Sequence, residues 1–105
     1  MAQFDVFENP NVAQREGFPY LVVLQSAQLD HLSTRFVMPL ARLAERPANA
    51  PRRLAQTIAI EGEAVQLAAH LCAALPARLL RKPVASLPHE AALFIDALDA
   101  VISGV

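Results

Sequence analysis

Tryptophan is absent from this 105-residue chain, cysteine and tyrosine occur once each, and glycine occurs three times. A single cysteine excludes an intramolecular disulfide framework. Cys72 lies in the apolar run Leu71-Cys72-Ala73-Ala74-Leu75, the setting of an inert buried thiol in a reducing cytosol. Gly17, Gly62 and Gly104 are too scattered for a glycine-rich phosphate loop. The net charge is −1 and the isoelectric point about 6.3, so no global basic field draws nucleic acid to the surface. The most apolar stretch, residues 64–80, is interrupted by Gln66, His70, Pro76 and Arg78, too mixed for a membrane span. No basic segment followed by an apolar one opens the chain, so no signal peptide is expected. His31, His70 and His89 are dispersed, with no i, i+4 pair and no cysteine pair beside them. Neither a metal site nor a cofactor is expected.

What is present is apolar. Hydrophobic residues make up 54% of the chain and the mean hydropathy is +0.32. A single domain of this length has little interior, burying roughly two-thirds of its unfolded surface. Some apolar area is therefore expected to lie against a partner, most simply a second copy of the chain.

Gln3-Phe4-Asp5-Val6-Phe7 alternates as a half-buried strand does, and Asn9-Pro10-Asn11 signals a turn. Tyr20-Leu21-Val22-Val23-Leu24 is a continuous β-branched and aromatic run, predicting a strand covered on both faces. Gln28 to Thr34 reads as loop, and Arg35-Phe36-Val37-Met38 as a strand ended by Pro39. Residues 41–53 carry two prolines and four arginines and read as a long exposed loop. Thr57–Ile60 and Ala64–Leu67 flank Glu61-Gly62-Glu63, a hairpin with glycine at positive φ. Alanine and leucine content predicts a short helix over 68–75. Ala77 to Leu80, extending toward Val84, reads as the last strand.

A terminal helix follows, with Ser86 as candidate N-cap and Pro88 in its first turn. Leu87, Ala91, Phe94, Ile95, Leu98, Val101 and Ile102 recur at three- and four-residue spacing, one apolar stripe of about four turns. Phe94, Leu98 and Val101 read as core, whereas Ile102 and Val105 come late enough to be contact surface. Asp96 and Asp99 lie off the stripe, on a solvated face or facing a partner's arginines. Strands first and one long helix last give an α+β domain, mainly antiparallel.

Gln3–Phe7, Val23–Ser26, Leu29-Asp30, Arg35–Ala41 and Val84–Leu87 with His89, taken in this order, resemble the CcdB family of bacterial toxins. Gln3-Phe4-Asp5-Val6-Phe7 is similar to the family's opening strand. Val23-Leu24-Gln25-Ser26, Leu29-Asp30 and Arg35-Phe36-Val37-Met38-Pro39-Leu40-Ala41 follow its Gln-Ser, Ile/Leu-Asp and Arg-x-Val-x-Pro-Leu pattern. Val84-Ala85-Ser86-Leu87 with His89 is similar to its lead-in to the last helix, and the chain ends in glycine and a hydrophobic residue. The resemblance implies an SH3-like five-stranded antiparallel sheet with a small extra sheet and a C-terminal helix, assembled as a homodimer. It implies a toxin of a toxin–antitoxin pair that binds the A subunit of DNA gyrase and traps the cleaved-DNA complex. A CcdA-like antitoxin would neutralise it, and DNA would be met only through gyrase or antitoxin. The family's gyrase contacts correspond to Gln28, Leu29, Asp99, Ile102, Ser103, Gly104 and Val105. Arg46, Arg52 and Arg53 fall in a loop that the family turns toward the antitoxin.

Two positions depart from the family pattern: Ser103 stands where a tryptophan is typical, and Asp99 where an asparagine is. An interfacial tryptophan can contribute on the order of 2–4 kcal/mol. A relative that keeps antitoxin binding without poisoning gyrase is therefore an open alternative. A second is an endoribonuclease of the MazF/Kid type, which resembles the same fold. His31 or Glu61 would then act with Arg35 on the phosphorane. The near-neutral charge and the shortage of stacking aromatics favour the non-catalytic reading.

Overall fold

The structure, a computed structural model, describes residues 2–45, 52 and 55–104. Its strands are β1 (Asp5–Glu8), β2 (Tyr20–Val23), β3 (Thr34–Arg42), β4 (Thr57–Ile60), β5 (Glu63–Leu67), β6 (Ala73–Pro76) and β7 (Pro83–Ser86). One α-helix, α1 (Ala91–Ser103), follows them. All pairings are antiparallel, in the order β4-β5-β3-β2-β1-β7, with β6 also paired to β3. The expected α+β class, antiparallel sheet and terminal helix are present. The strand count differs: seven strands among the described residues join in one curled sheet, where five plus a small extra sheet were expected.

The long strand β3 explains that difference. One edge pairs with β2, as Tyr20↔Leu40 through Val23↔Val37. The other edge is shared, with β6 along Thr34–Val37 and β5 along Leu40–Arg42. Pro39 lies where the partner changes, so its missing N–H leaves no ladder position empty, and its carbonyl accepts from Ala68 N at 2.9 Å. The strand predicted to stop at Pro39 therefore continues to Arg42. Of the loop predicted over 41–53, Ala41 and Arg42 belong to β3 and Leu43–Glu45 form a 3-10 turn, while residues 46–51 and 53 lie outside the described residues. The open edge of β3 also overrides helix propensity at 68–75. That segment forms a 3-10 turn at Ala69–Leu71 and then β6. Ala77–Leu79 is a 3-10 turn, not a strand, and the last strand is β7, which includes Val84.

Both faces of the sheet carry core. Val6, Val22, Met38, Leu40, Val65 and Leu67 lie in the cluster that includes Phe94 and Ala97 of α1. Phe7, Leu21, Val23, Val37 and Leu80 form a second cluster. Successive β2 residues thus serve opposite clusters, as a strand covered on both faces requires. The β4–β5 hairpin closes at Ile60↔Glu63 through a two-residue turn in which both Glu61 and Gly62 have positive φ, the geometry that matches strand twist.

The helix docks differently from its sequence pattern. Phe94, Ala97 and Ala100 are buried and Leu98 is half-buried, while Val101 is exposed and Ile95 and Ile102 are 61% and 77% exposed. Apolar residues occur all round α1, so their spacing could not choose the inward face; two alanines there allow close approach to the sheet. Ser86 is not the N-cap, because it pairs with Asp5 inside the sheet. A 3-10 turn at Pro88–Glu90 leads into α1, with Glu90 at the cap position making no side-chain cap bond.

Phe94 is fully buried and its ring stacks on Phe4 at a centroid distance of 5.7 Å and an interplanar angle of 14°. Phe4 holds a φ of 67°, a strained conformation for a bulky residue. Its N–H donates to Val23 O at 2.7 Å and its carbonyl accepts from Leu87 N at 2.9 Å. Phe94→Ala is expected to cost about 3–5 kcal/mol in a urea melt. Gly62→Ala should cost about 1 kcal/mol from φ alone, since nothing lies within 4 Å of the added Cβ. Cys72 is half-buried and burial pushes its thiol up to about 11. Its alkylation by iodoacetamide at pH 8 should run about a hundredfold slower than that of a free cysteine thiol.

Candidate functional site

The gyrase-contact candidates that the structure describes lie on two elements, the loop between β2 and β3 and the end of α1. The loop contains a 3-10 turn at Ala27–Leu29, capped where Ser26 Oγ accepts from Gln28 N at 3.2 Å. Gln28 is exposed and Leu29 is 43% exposed. Two side chains brace this turn from inside. Gln25 Nε2 donates to the carbonyls of Leu29 and Thr34, at 3.2 and 3.1 Å, while its Oε1 accepts from Phe36 N at 3.0 Å. Arg35 is buried, and its guanidinium donates to the carbonyls of Leu32, Thr34 and Asp30 at 2.6–3.0 Å. Its Nε lies 3.7 Å from the Asp30 carboxylate.

That arrangement bears on the ribonuclease candidates. Arg35 spends its terminal nitrogens on loop carbonyls, which leaves its guanidinium committed to structure. Glu61 is in the β4–β5 turn, and its neighbour Glu63 pairs with Arg42 at the other end of β3. Seven residues of strand separate Arg35 from Arg42, about 23 Å at the usual rise. Glu61 and Arg35 are thus not brought together. His31 is exposed in the loop itself.

At the end of α1, Asp99, Ile102, Ser103 and Gly104 are all exposed. Gly104 closes the helix in the left-handed region, φ 75°, and its N–H donates to Ala100 O at 3.0 Å. A glycine there satisfies a terminal carbonyl and turns the chain without strain. Asp96 is not a solvated acid; its Oδ2 accepts from Gln56 Nε2 at 3.0 Å, tying the middle of α1 to the residue before β4. No hydrogen bond joins Gln28 or Leu29 to Ile102, Ser103 or Gly104 among the described residues. Arg52 is exposed, whereas Arg46, Arg53 and Val105 lie outside the described residues.

The sequence reading missed the bracing roles of Gln25 and Arg35. The signal was present, since both stand at fixed points of the segments that flank the loop. Polar residues at the ends of two apolar strands can reach the connecting turn from either side. Arg35→Met keeps a long apolar stem but removes every guanidinium bond. It should accelerate amide exchange at residues 28–34 by at least about tenfold relative to the β2–β3 ladder, measured by NMR.

No curated protein matches the chain. The family model described as CcdB protein matches residues 3–104, from the first strand through the C-cap of α1. With that match spanning the whole described sheet and helix, the chain belongs to the CcdB family, the toxins of toxin–antitoxin pairs.

Proposed function

We propose that two copies of this chain form a toxin that binds the A subunit of DNA gyrase and traps the cleaved-DNA complex. A CcdA-like antitoxin, contacting Arg46, Arg52 and Arg53, removes it. The observation that carries this reading is the exposure of Val101 and Ile102 on the last turn of α1, with Ile95 exposed two turns earlier, in a chain whose family match runs to residue 104. Apolar side chains grouped at a helix end are the usual mark of a contact surface.

The chemistry is binding rather than bond making. Gln28 and Leu29 on the braced turn, with Asp99, Ile102, Ser103, Gly104 and Val105 at the helix end, engage one conformational state of gyrase better than the others. Gyrase is then held in that state, because a ligand shifts an equilibrium by its difference in affinity for the two forms. DNA is met only through gyrase or antitoxin, in the cytoplasm. The apolar surplus of the chain supports dimerisation, and light scattering should give about twice the 11.4 kDa chain mass.

Ser103 favours a second reading. It is small, polar and exposed where an aromatic anchor would stand, so a toxin that binds antitoxin yet no longer traps gyrase is its natural consequence. A cleavage assay on purified gyrase, run with an RNA-integrity control, separates these readings. Trapping by the wild-type protein, weakened at least about tenfold by Ile102→Glu and strengthened by Ser103→Trp, supports poisoning. Antitoxin binding without trapping supports the second reading, and RNA decay without trapping overturns both.

A further inference from the structure

A cavity lies away from the helix end and the β2–β3 loop. It has a volume of about 640 Å³ and sits along the β1–β7 side of the sheet. Its position follows from the pairing of these strands. β1 and β7 lose register between Val6 and Phe7, so that Val6 faces Ala85 while Phe7 faces Pro83. Val84 is the additional residue of this bulge, and a bulge bends an edge strand outward. The segment before β7, with its 3-10 turn at Ala77–Leu79, then runs beside the end of β1.

Four of the nine lysines and arginines of the chain line this cleft: Arg15, Arg78, Arg81 and Lys82. Arg15 is already committed, since its Nη2 lies 3.3 Å from Glu8 Oε1 and its Nε donates to Asn9 O at 2.6 Å. Arg78, Arg81 and Lys82 are exposed, and no carboxylate among the described residues pairs with them. A chain of net charge −1 thus concentrates three uncompensated cations on one concave surface. Glu8, the one acid in this lining, is paired with Arg15, so the cleft keeps a net positive charge, and a concave wall with such an excess focuses the field on whatever enters.

The apolar part of the lining is Phe7, Pro10, Leu79 and Val84. Pro10 and Leu79 also line a second hollow of about 360 Å³, whose other walls include Val37 and Leu75. The two hollows adjoin at Pro10 and Leu79, one lined by cations and the other mainly by aliphatic side chains with the amides of Asn9, Asn11 and Gln14, and together they are taken as one groove.

We infer that this groove is a docking site for an acidic polypeptide segment of a partner protein, one that interleaves carboxylates with aliphatic side chains. The carboxylates meet Arg78, Arg81 and Lys82, and the aliphatic groups cover Leu79, Val84 and the adjoining hollow. Nucleic acid fits less well. The only aromatic ring in the lining, Phe7, is 2% exposed and cannot stack on a base. The inference deepens the proposed neutralisation by an antitoxin and rests on that reading for who supplies the segment. It adds a second cationic surface to Arg46, Arg52 and Arg53.

The test uses the full chain and a fluorescein-labelled peptide of alternating glutamate and leucine, with the same peptide carrying glutamine for glutamate and a single-stranded oligonucleotide as competitors. The variant is R78E/R81E/K82E, whose three positions are exposed; circular dichroism verifies its fold. Binding of the glutamate peptide should weaken with salt and fall at least about tenfold both in the variant and on exchange of glutamate for glutamine. Equal binding by the folded variant overturns the inference, as do tighter binding of the oligonucleotide and failure of the wild-type chain to bind the peptide. If the variant does not fold, the glutamate-to-glutamine comparison on the wild-type chain decides. Gyrase trapping measured on the same preparations is a separate readout, so loss of the toxin reading and loss of the groove are told apart.

Discussion

The stacked pair of Phe4 and Phe94 holds the molecule together at the point where sheet and helix meet. Phe4 pays for this position with a positive φ, and three contacts hold it there: Val23 O on β2, Leu87 N before α1, and the ring of Phe94. Strain of this kind, of order 1–3 kcal/mol, persists only where surrounding structure overdetermines it. Offset aromatic packing contributes about 0.5–1.5 kcal/mol beyond the area it buries. One residue thereby links β1, β2 and the start of α1. Since α1 is rigid, fixing its first turns and tying Asp96 to Gln56 also fixes where its far end emerges.

The second organising element is the divided edge of β3. A nine-residue strand whose two halves pair with different partners cannot lie in a flat sheet, and the proline sits at the division. The same strand carries Arg35 at its second position, and that guanidinium gathers the carbonyls of the β2–β3 turn. The core and the loop that displays Gln28 and Leu29 are thus built on one strand, with Gln25 bracing from the end of the other. Rigid presentation lowers the entropy lost on binding, which is what a contact loop requires.

Much of this was legible in the residues. The run Tyr20–Leu24 announced a strand covered on both faces, and Val22 and its neighbours Leu21 and Val23 do serve opposite clusters. Glu61-Gly62 announced the hairpin. What periodicity could not decide was which face of α1 turns inward, because apolar residues surround the helix; the inward face is set by the small side chains of Ala97 and Ala100. Pro39 misled because a proline ends a strand only where its N–H is needed. The alanine-rich segment at 73–76 became a strand because β3 offered an unpaired edge, a non-local fact that propensity does not contain. Ile102, read as contact surface, is exposed, and so is Val101, which the spacing counts with the core. The bracing by Gln25 and Arg35 became visible only with the loop in three dimensions, and the cationic groove only once β1 and β7 stood side by side.

The account rests on a helix that is anchored at its start and offers its end to a larger partner. The direct measurement is hydrogen–deuterium exchange on the purified protein, free and with the gyrase A subunit as the added fragment of gyrase. Free protein should show slow exchange around Phe94 and fast exchange at Ile102–Gly104, and the complex should gain protection at Ile102–Gly104 and at Gln28–Leu29. Protection of the helix end already complete in the free protein, or no change there on adding the gyrase fragment, would contradict it.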